Sequence, residues 1–113
     1  MGSFTAGDVI IVPFPFSDLT SSKRRPALVL CNIGRNDFVL CQITSKQYSD
    51  PLAVSLTSSD FIEGELLCDS FVRPGKLFTA NQSIFIGRAC RIHHSKQSEV
   101  VQVIIDLLNG YLQ

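Results

Sequence analysis

Four consecutive β-branched residues, Val9-Ile10-Ile11-Val12, constrain this chain more than any other stretch. Such side chains lose χ1 freedom in a helix and pack well on a pleated surface, so residues 8 to 14 read as a strand. A strand with one wet face alternates apolar with polar residues. This run does not alternate, so it belongs to a strand covered on both faces or to a barrel wall. Pro13 and Pro15 have no N–H to give a ladder, which is expected to end there and to confine that part to an edge. The polar stretch Ser17-Asp18-Leu19-Thr20-Ser21-Ser22 follows, then three consecutive cations, Lys23-Arg24-Arg25, and a second strand over residues 26 to 33. Pro26 restricts the residue before it to extended backbone, which places Arg25 at the mouth of that strand. A guanidinium held at a strand entrance beside a polar loop is a candidate anion site.

The remaining chain reads as short strands separated by turn residues. Gly34 and Asn36 supply a turn, and Phe38 to Ile43 form a third strand antiparallel to the second. A polar loop covers residues 44 to 51, a fourth strand residues 52 to 56, and a turn residues 57 to 60. Leu66 to Val72 read as a fifth strand, terminated by Pro74-Gly75. Residues 76–78 and 84–86 fit either a short strand or a turn of helix, and Gly87 to Ile92 a last edge strand. From Val100 the apolar residues recur with helical spacing, with Ser95 or Ser98 available as a cap, Glu99 suited to the first turn and Gly110 fraying the last. Many short strands and one terminal helix indicate a mainly β protein, a small, strongly curved barrel or sandwich.

A chain of 113 residues is one domain, long enough to bury a core without metal or disulfide staples. Ten basic residues balance ten acidic ones, so net charge gives no support for nucleic-acid binding, and any anion site must arise by local clustering. Cys31, Cys41, Cys68 and Cys90 form no Cys-x-x-Cys pair, and three of them, Cys31, Cys41 and Cys68, sit in apolar runs, which suits small buried side chains in a reduced protein. With no signal-peptide pattern and no apolar run approaching the roughly 18 residues of a membrane span, a soluble cytoplasmic protein is expected.

Gly7-Asp8-Val9 opening a strand, the loop Pro15-Phe16-Ser17-Asp18-Leu19, and Lys23-Arg24-Arg25-Pro26-Ala27-Leu28-Val29-Leu30 together resemble the PemK/MazF toxins of bacterial toxin–antitoxin systems. Cys41-Gln42-Ile43-Thr44-Ser45-Lys46 resembles their Thr-containing strand end, and Leu66-Leu67-Cys68-Asp69-Ser70 a later strand. The likeness spans nearly the whole chain. It implies a small SH3-like β-barrel with a C-terminal helix, a homodimer, and metal-independent cleavage of single-stranded RNA. It also implies no cofactor, neutralisation by a cognate antitoxin lying across the RNA groove, and DNA binding as the antitoxin complex.

By the same likeness, Arg25, Thr44 and Asp69 are the catalytic candidates. Attack by a 2′-hydroxyl needs a proton acceptor, positive charge on the phosphorane and a donor for the leaving oxygen. Arg25 suits charge stabilisation, because its planar fork grips two phosphate oxygens and its high pKa makes it a poor acid. Thr44 offers a hydroxyl to position the 2′-oxygen, and equally reads as a turn residue bonding local backbone. Asp69 is a base or a structural residue; Leu67 and Cys68 stand where the subgroup using this acid has an arginine. Phe16, Ser17, Lys23, Arg24, Ser45, Lys46, Ser70 and Arg73 are the RNA-contact candidates, with Lys76 and Tyr48 beside them. His93-His94 has no third ligand at useful spacing, so a metal reading is weak. The competing function is a non-catalytic toxin of the same fold that acts by protein contact, of the gyrase-poison type. The absence of tryptophan, including from the tip Tyr111-Leu112-Gln113, weighs against it. A plain SH3-like adaptor is a third class.

Overall fold

A computed structural model describes residues 4–15, 22–46 and 50–111 of the chain. Seven strands run in sequence as β1 (Asp8–Pro15), β2 (Ser22–Gly34), β3 (Asp37–Thr44), β4 (Val54–Leu56), β5 (Phe61–Gly64), β6 (Ser70–Asn81) and β7 (Gly87–Ile92), followed by helix α1 (His94–Leu108). They form one antiparallel sheet in the order β4-β6-β3-β2-β1-β7-β5. Neighbouring strands lie about 4.8 Å apart, so a flat seven-stranded sheet would part its edges by roughly 29 Å. Yet one buried cluster contains Val54 and Leu56 of one edge strand and packs Phe61 of the other. The sheet therefore curls on itself into a half-barrel.

The β-branched run is buried on both faces, as its pattern required. Val9 pairs with Leu28, and both belong to the inner core with Cys41, Ile43, Val72, Ile92 and the helix residues Val100 and Ile104. Ile10 pairs with Ala27 in a second cluster that includes Val12, Val29, Phe38 and Leu40 and is covered by Phe4, Phe78 and Phe85. Val9, Ile10 and Val12 are each at most 1% exposed, and each contributes roughly 1.5–3 kcal/mol of gross burial. No helix among the described residues is long and apolar enough to cross a membrane.

Several boundaries depart from the sequence reading. β2 begins at Ser22, so Arg25 lies inside the strand rather than at its mouth, opposite Val12. The β1–β2 ladder continues through Pro13 and Pro15 to Ser22, while β7 pairs β1 only from Asp8 to Ile11. The prolines therefore occupy the part of β1 that β7 leaves unpaired. Residues 65–69 are loop, not strand, so Asp69 precedes β6 instead of lying within a strand. Pro74-Gly75 does not end β6. That strand advances from Val72 to Leu77 while β3 moves only from Ile43 to Cys41, and the proline sits in the resulting bulge, where no ladder N–H is needed. β7 is internal, between β1 and β5. The helix starts at His94, before Ser95 and Ser98, and has no side-chain cap. Gly110 terminates it rather than fraying it. Its φ of +81° lets Gly110 N–H reach Leu107 O at 3.0 Å and Tyr111 N–H reach Asp106 O at 2.8 Å, the paired bonds of a Schellman end. Of the helix's apolar residues only Val100 and Ile104 are buried outright, and Ile105 and Leu108 are exposed.

Candidate functional site

The register of β2 against β3 builds the site. Ala27 pairs with Gln42, Leu28 with Cys41 and Val29 with Leu40. Continued toward the other end of the pair, that register would bring Arg25 across from Thr44, Arg24 from Ser45 and Lys23 from Lys46. All six residues line one cleft of about 490 Å³, floored by Ile11, Pro26 and Ile43 and closed by Leu66, Leu67, Ser70 and Ala89. Four cationic residues thus line a cavity to which the described residues bring a single acidic residue, Glu65. In a chain of zero net charge, this is the local clustering that an anion site requires.

Thr44 is buried, and its Oγ1 accepts the Lys46 N–H at 3.1 Å. That bond is the local turn contact anticipated for it, and it orients the hydroxyl while leaving its proton available to donate. Ser70 is buried and donates through Oγ to Cys68 O at 3.0 Å, fixing the start of β6 at the cleft wall. Asp69, the third catalytic candidate, does not line this cleft. It lines a smaller adjoining one of about 260 Å³, which shares Glu65, Leu66, Leu67 and Cys68 with the larger. Arg73 lies outside both clefts and pairs through Nε with Asp50 Oδ2 at 3.0 Å. Lys76 is exposed on β6, also away from both clefts. Phe16, Ser17 and Tyr48 lie outside the described residues.

The sequence reading missed Glu65 and the loop that carries it. The signal available for it is Gly64, just before the stretch read as the fifth strand. Gly64 has φ +67°, and a Cβ on it would stand 2.6 Å from Ala89 O. Only glycine allows β5 to close so tightly on β7 and then turn out of the sheet, which carries residues 65–69 over the cleft. His93 and His94 are exposed at the helix start, with His94 Nε2 3.4 Å from Ser98 Oγ. Among the described residues, no three His, Cys, Asp or Glu side chains gather as a metal site.

A family model for PemK-like, MazF-like toxins of type II toxin–antitoxin systems matches residues 5–108. The chain belongs to that family. Among solved structures, the MazF of Deinococcus radiodurans is similar at TM-score 0.76 and 22% identity, covering 96% of this chain and 99% of that one. A MazE–MazF crystal structure from the same organism is similar at TM-score 0.75 and 21% identity, covering 94% and 96%. An endoribonuclease in complex with its cognate antitoxin, from a mycobacterial species, is similar at 0.74 and 14%, covering 95% and 96%. These likenesses concern the fold. Among curated proteins no sequence matches.

In this MazF-like fold, Arg73, Arg88, Arg91 and Lys96, away from the cleft, are engaged with acids. Asp8 is fully buried and accepts Arg91 Nε at 2.8 Å, Arg88 Nη1 at 3.5 Å and the Thr5 N–H at 2.9 Å. Hydrogen bonding to Asp8 holds the Arg91 guanidinium above its ordinary value, and Glu63 adds to the effect. Lys96 contacts Asp60 at 3.7 Å and Glu99 at 3.1 Å. At Asp50, burial opposes ionisation, but the Leu52 N–H and the Arg73 guanidinium outweigh it, and the carboxyl sits below its usual value. The cysteines divide evenly: Cys31 and Cys68 are exposed despite their apolar neighbours in sequence, which corrects the buried reading for those two, and Cys41 and Cys90 are buried, all four free. Burial pushes the Cys41 thiol up to about 12 and Cys90 to about 11. Cys41 Sγ donates to Arg73 O at 2.9 Å, satisfying a carbonyl in the β6 bulge.

Proposed function

We propose that this toxin is a metal-independent endoribonuclease that cuts single-stranded RNA. The phosphate backbone lies across the cleft between β2, β3 and the 65–69 loop. The observation that carries this reading is the meeting of Arg25 and Thr44 in one cleft with Lys23, Arg24 and Lys46. The 2′-oxygen attacks the adjacent phosphorus, giving a 2′,3′-cyclic phosphate and a 5′-hydroxyl end. Arg25 stabilises the charge that develops on the non-bridging oxygens, and the Thr44 hydroxyl donates a hydrogen bond to the reacting phosphate. Lys23, Arg24 and Lys46 hold flanking phosphates, with Ser45 and Ser70 as polar contacts.

The half-barrel is read as an SH3-like barrel, working in the cytoplasm as a homodimer. A cognate antitoxin silences it by occupying the same cleft, in keeping with the antitoxin-bound endoribonuclease of like fold. The test incubates purified protein, free of antitoxin, with a long single-stranded RNA in EDTA, beside Arg25→Ala. Cuts bearing cyclic phosphate ends with wild type, and intact RNA with the variant, are expected. RNA left intact by the wild-type protein overturns the reading.

A further inference from the structure

We propose that Glu65 is the proton acceptor of this groove, taking the proton of the attacking 2′-hydroxyl; the inference rests on the ribonuclease reading above. Cleavage by an internal hydroxyl needs a group that accepts a proton while positive charge waits on the phosphate. Arginine and lysine ammonium groups have no acceptor, and an unassisted Thr44 hydroxyl is too weak a base to take the proton. Glu65 is the carboxylate that the described residues bring to the cleft, and Asp69, from the same loop, faces the adjoining one.

Two anchors bracket the loop. Gly64 pairs with Cys90 in the β5–β7 ladder and is packed so closely on Ala89 O that no side chain fits. At the other end, Ser70 is buried and tied to Cys68 O. Glu65 is thus one residue from a backbone fixed by the sheet, and it lines the same cleft as Arg25 of β2. A phosphate held in that cleft would meet both a carboxylate and a guanidinium. Among the described residues, the charged and titratable groups that line the two clefts with Glu65 are Lys23, Arg24 and Arg25 of β2, Lys46 beyond β3, and Cys68 and Asp69 of its own loop. Glu63, two residues earlier, is turned to Arg88 and Arg91 of β7.

In the step, the 2′-oxygen gives its proton to a Glu65 carboxylate oxygen as the bond from that oxygen to phosphorus forms. The bond from phosphorus to the 5′-oxygen breaks, its electron pair stays on that oxygen, and the oxygen takes a proton from water. Glu65 then returns its proton to solvent, so no oxidant, reductant or metal enters the balance.

The experiment measures single-turnover cleavage of one defined RNA from acid to mildly alkaline pH. It compares wild type with Glu65→Gln, Asp69→Asn and Asp18→Asn. Each protein's affinity for the 2′-O-methyl form of that RNA, which has no proton to give, is also measured. Glu65→Gln is expected to slow cleavage by about 10²–10⁴-fold and to abolish the acid limb of the pH–rate profile, with binding held or tightened. Three outcomes overturn the assignment: wild-type rate and limb in Glu65→Gln, loss of the limb in Asp69→Asn or Asp18→Asn instead, or altered cut-site sequence with the limb intact. A wild-type protein that leaves the RNA whole overturns the ribonuclease reading itself, and so separates the two failures.

Discussion

Two groups of cations in this molecule have opposite settings. On the β1–β7–β5 side, Arg88 and Arg91 converge on Asp8, which is fully buried, and on Glu63. The cleft is lined by Lys23, Arg24, Arg25 and Lys46 and, among the described residues, by one acidic residue, Glu65. The first group is balanced within the fold and ties the start of β1 to β7. The second concentrates one sign of charge at a concave surface, which raises the local concentration of an anionic polymer. The lesson is that a zero net charge says little about anion binding until the acids have been assigned. Here the acids go preferentially to the framework.

The comparison predicts different losses from the two regions. Asp8→Ala should cost about 3 kcal/mol of stability, because it removes the shared acceptor of two guanidiniums and of the Thr5 N–H. The arginines are about a third exposed and can rehydrate, which keeps the cost at the lower end for a broken buried pair. Urea unfolding measures it, and a loss within error of zero removes the structural half of the comparison.

A smaller effect is expected at the Arg73–Asp50 pair, whose arginine the sequence reading counted among the RNA-contact candidates and which lies outside both clefts. The folded Asp50 carboxyl lies below its unfolded value, so its contribution is complete above the ordinary carboxylate pKa and is lost as pH falls through the folded one. For a partly solvated pair this amounts to about 1 kcal/mol or less. Unfolding measured in acid and at neutral pH should show a shallower acid loss for Asp50→Asn than for wild type. An identical acid slope would show that the pair contributes nothing.

The parts legible in the sequence were those fixed by local chemistry. The unbroken Val9–Val12 run announced a strand covered on both faces, and the hairpin at residues 34–37 followed from its turn residues. The cationic triplet before Pro26 pointed to the cleft. What escaped was decided by pairing partners far away in sequence. Leu66-Leu67-Cys68 has the apolar look of a strand, but β7 is already paired by Phe61–Gly64, and residues 65–69 are left as loop. Pro74-Gly75 looked like a stop because local rules cannot foresee a bulge that makes proline harmless within β6. Asp69 became a candidate through the family likeness, on a strand over residues 66–72 whose first part is loop, and Glu65 was not considered.

The central claim is that the cations lining the cleft act on RNA while those paired with Asp8 and Glu63 hold the fold. One paired measurement tests it most directly: single-turnover RNA cleavage and Tm for Arg25→Ala beside Arg91→Ala. Arg25→Ala should cut about 10²–10³-fold more slowly with little change in Tm, whereas Arg91→Ala should cut near the wild-type rate with Tm lowered by about 4 °C or more. Wild-type cleavage by Arg25→Ala, or equal loss of cleavage in both variants, would contradict the account.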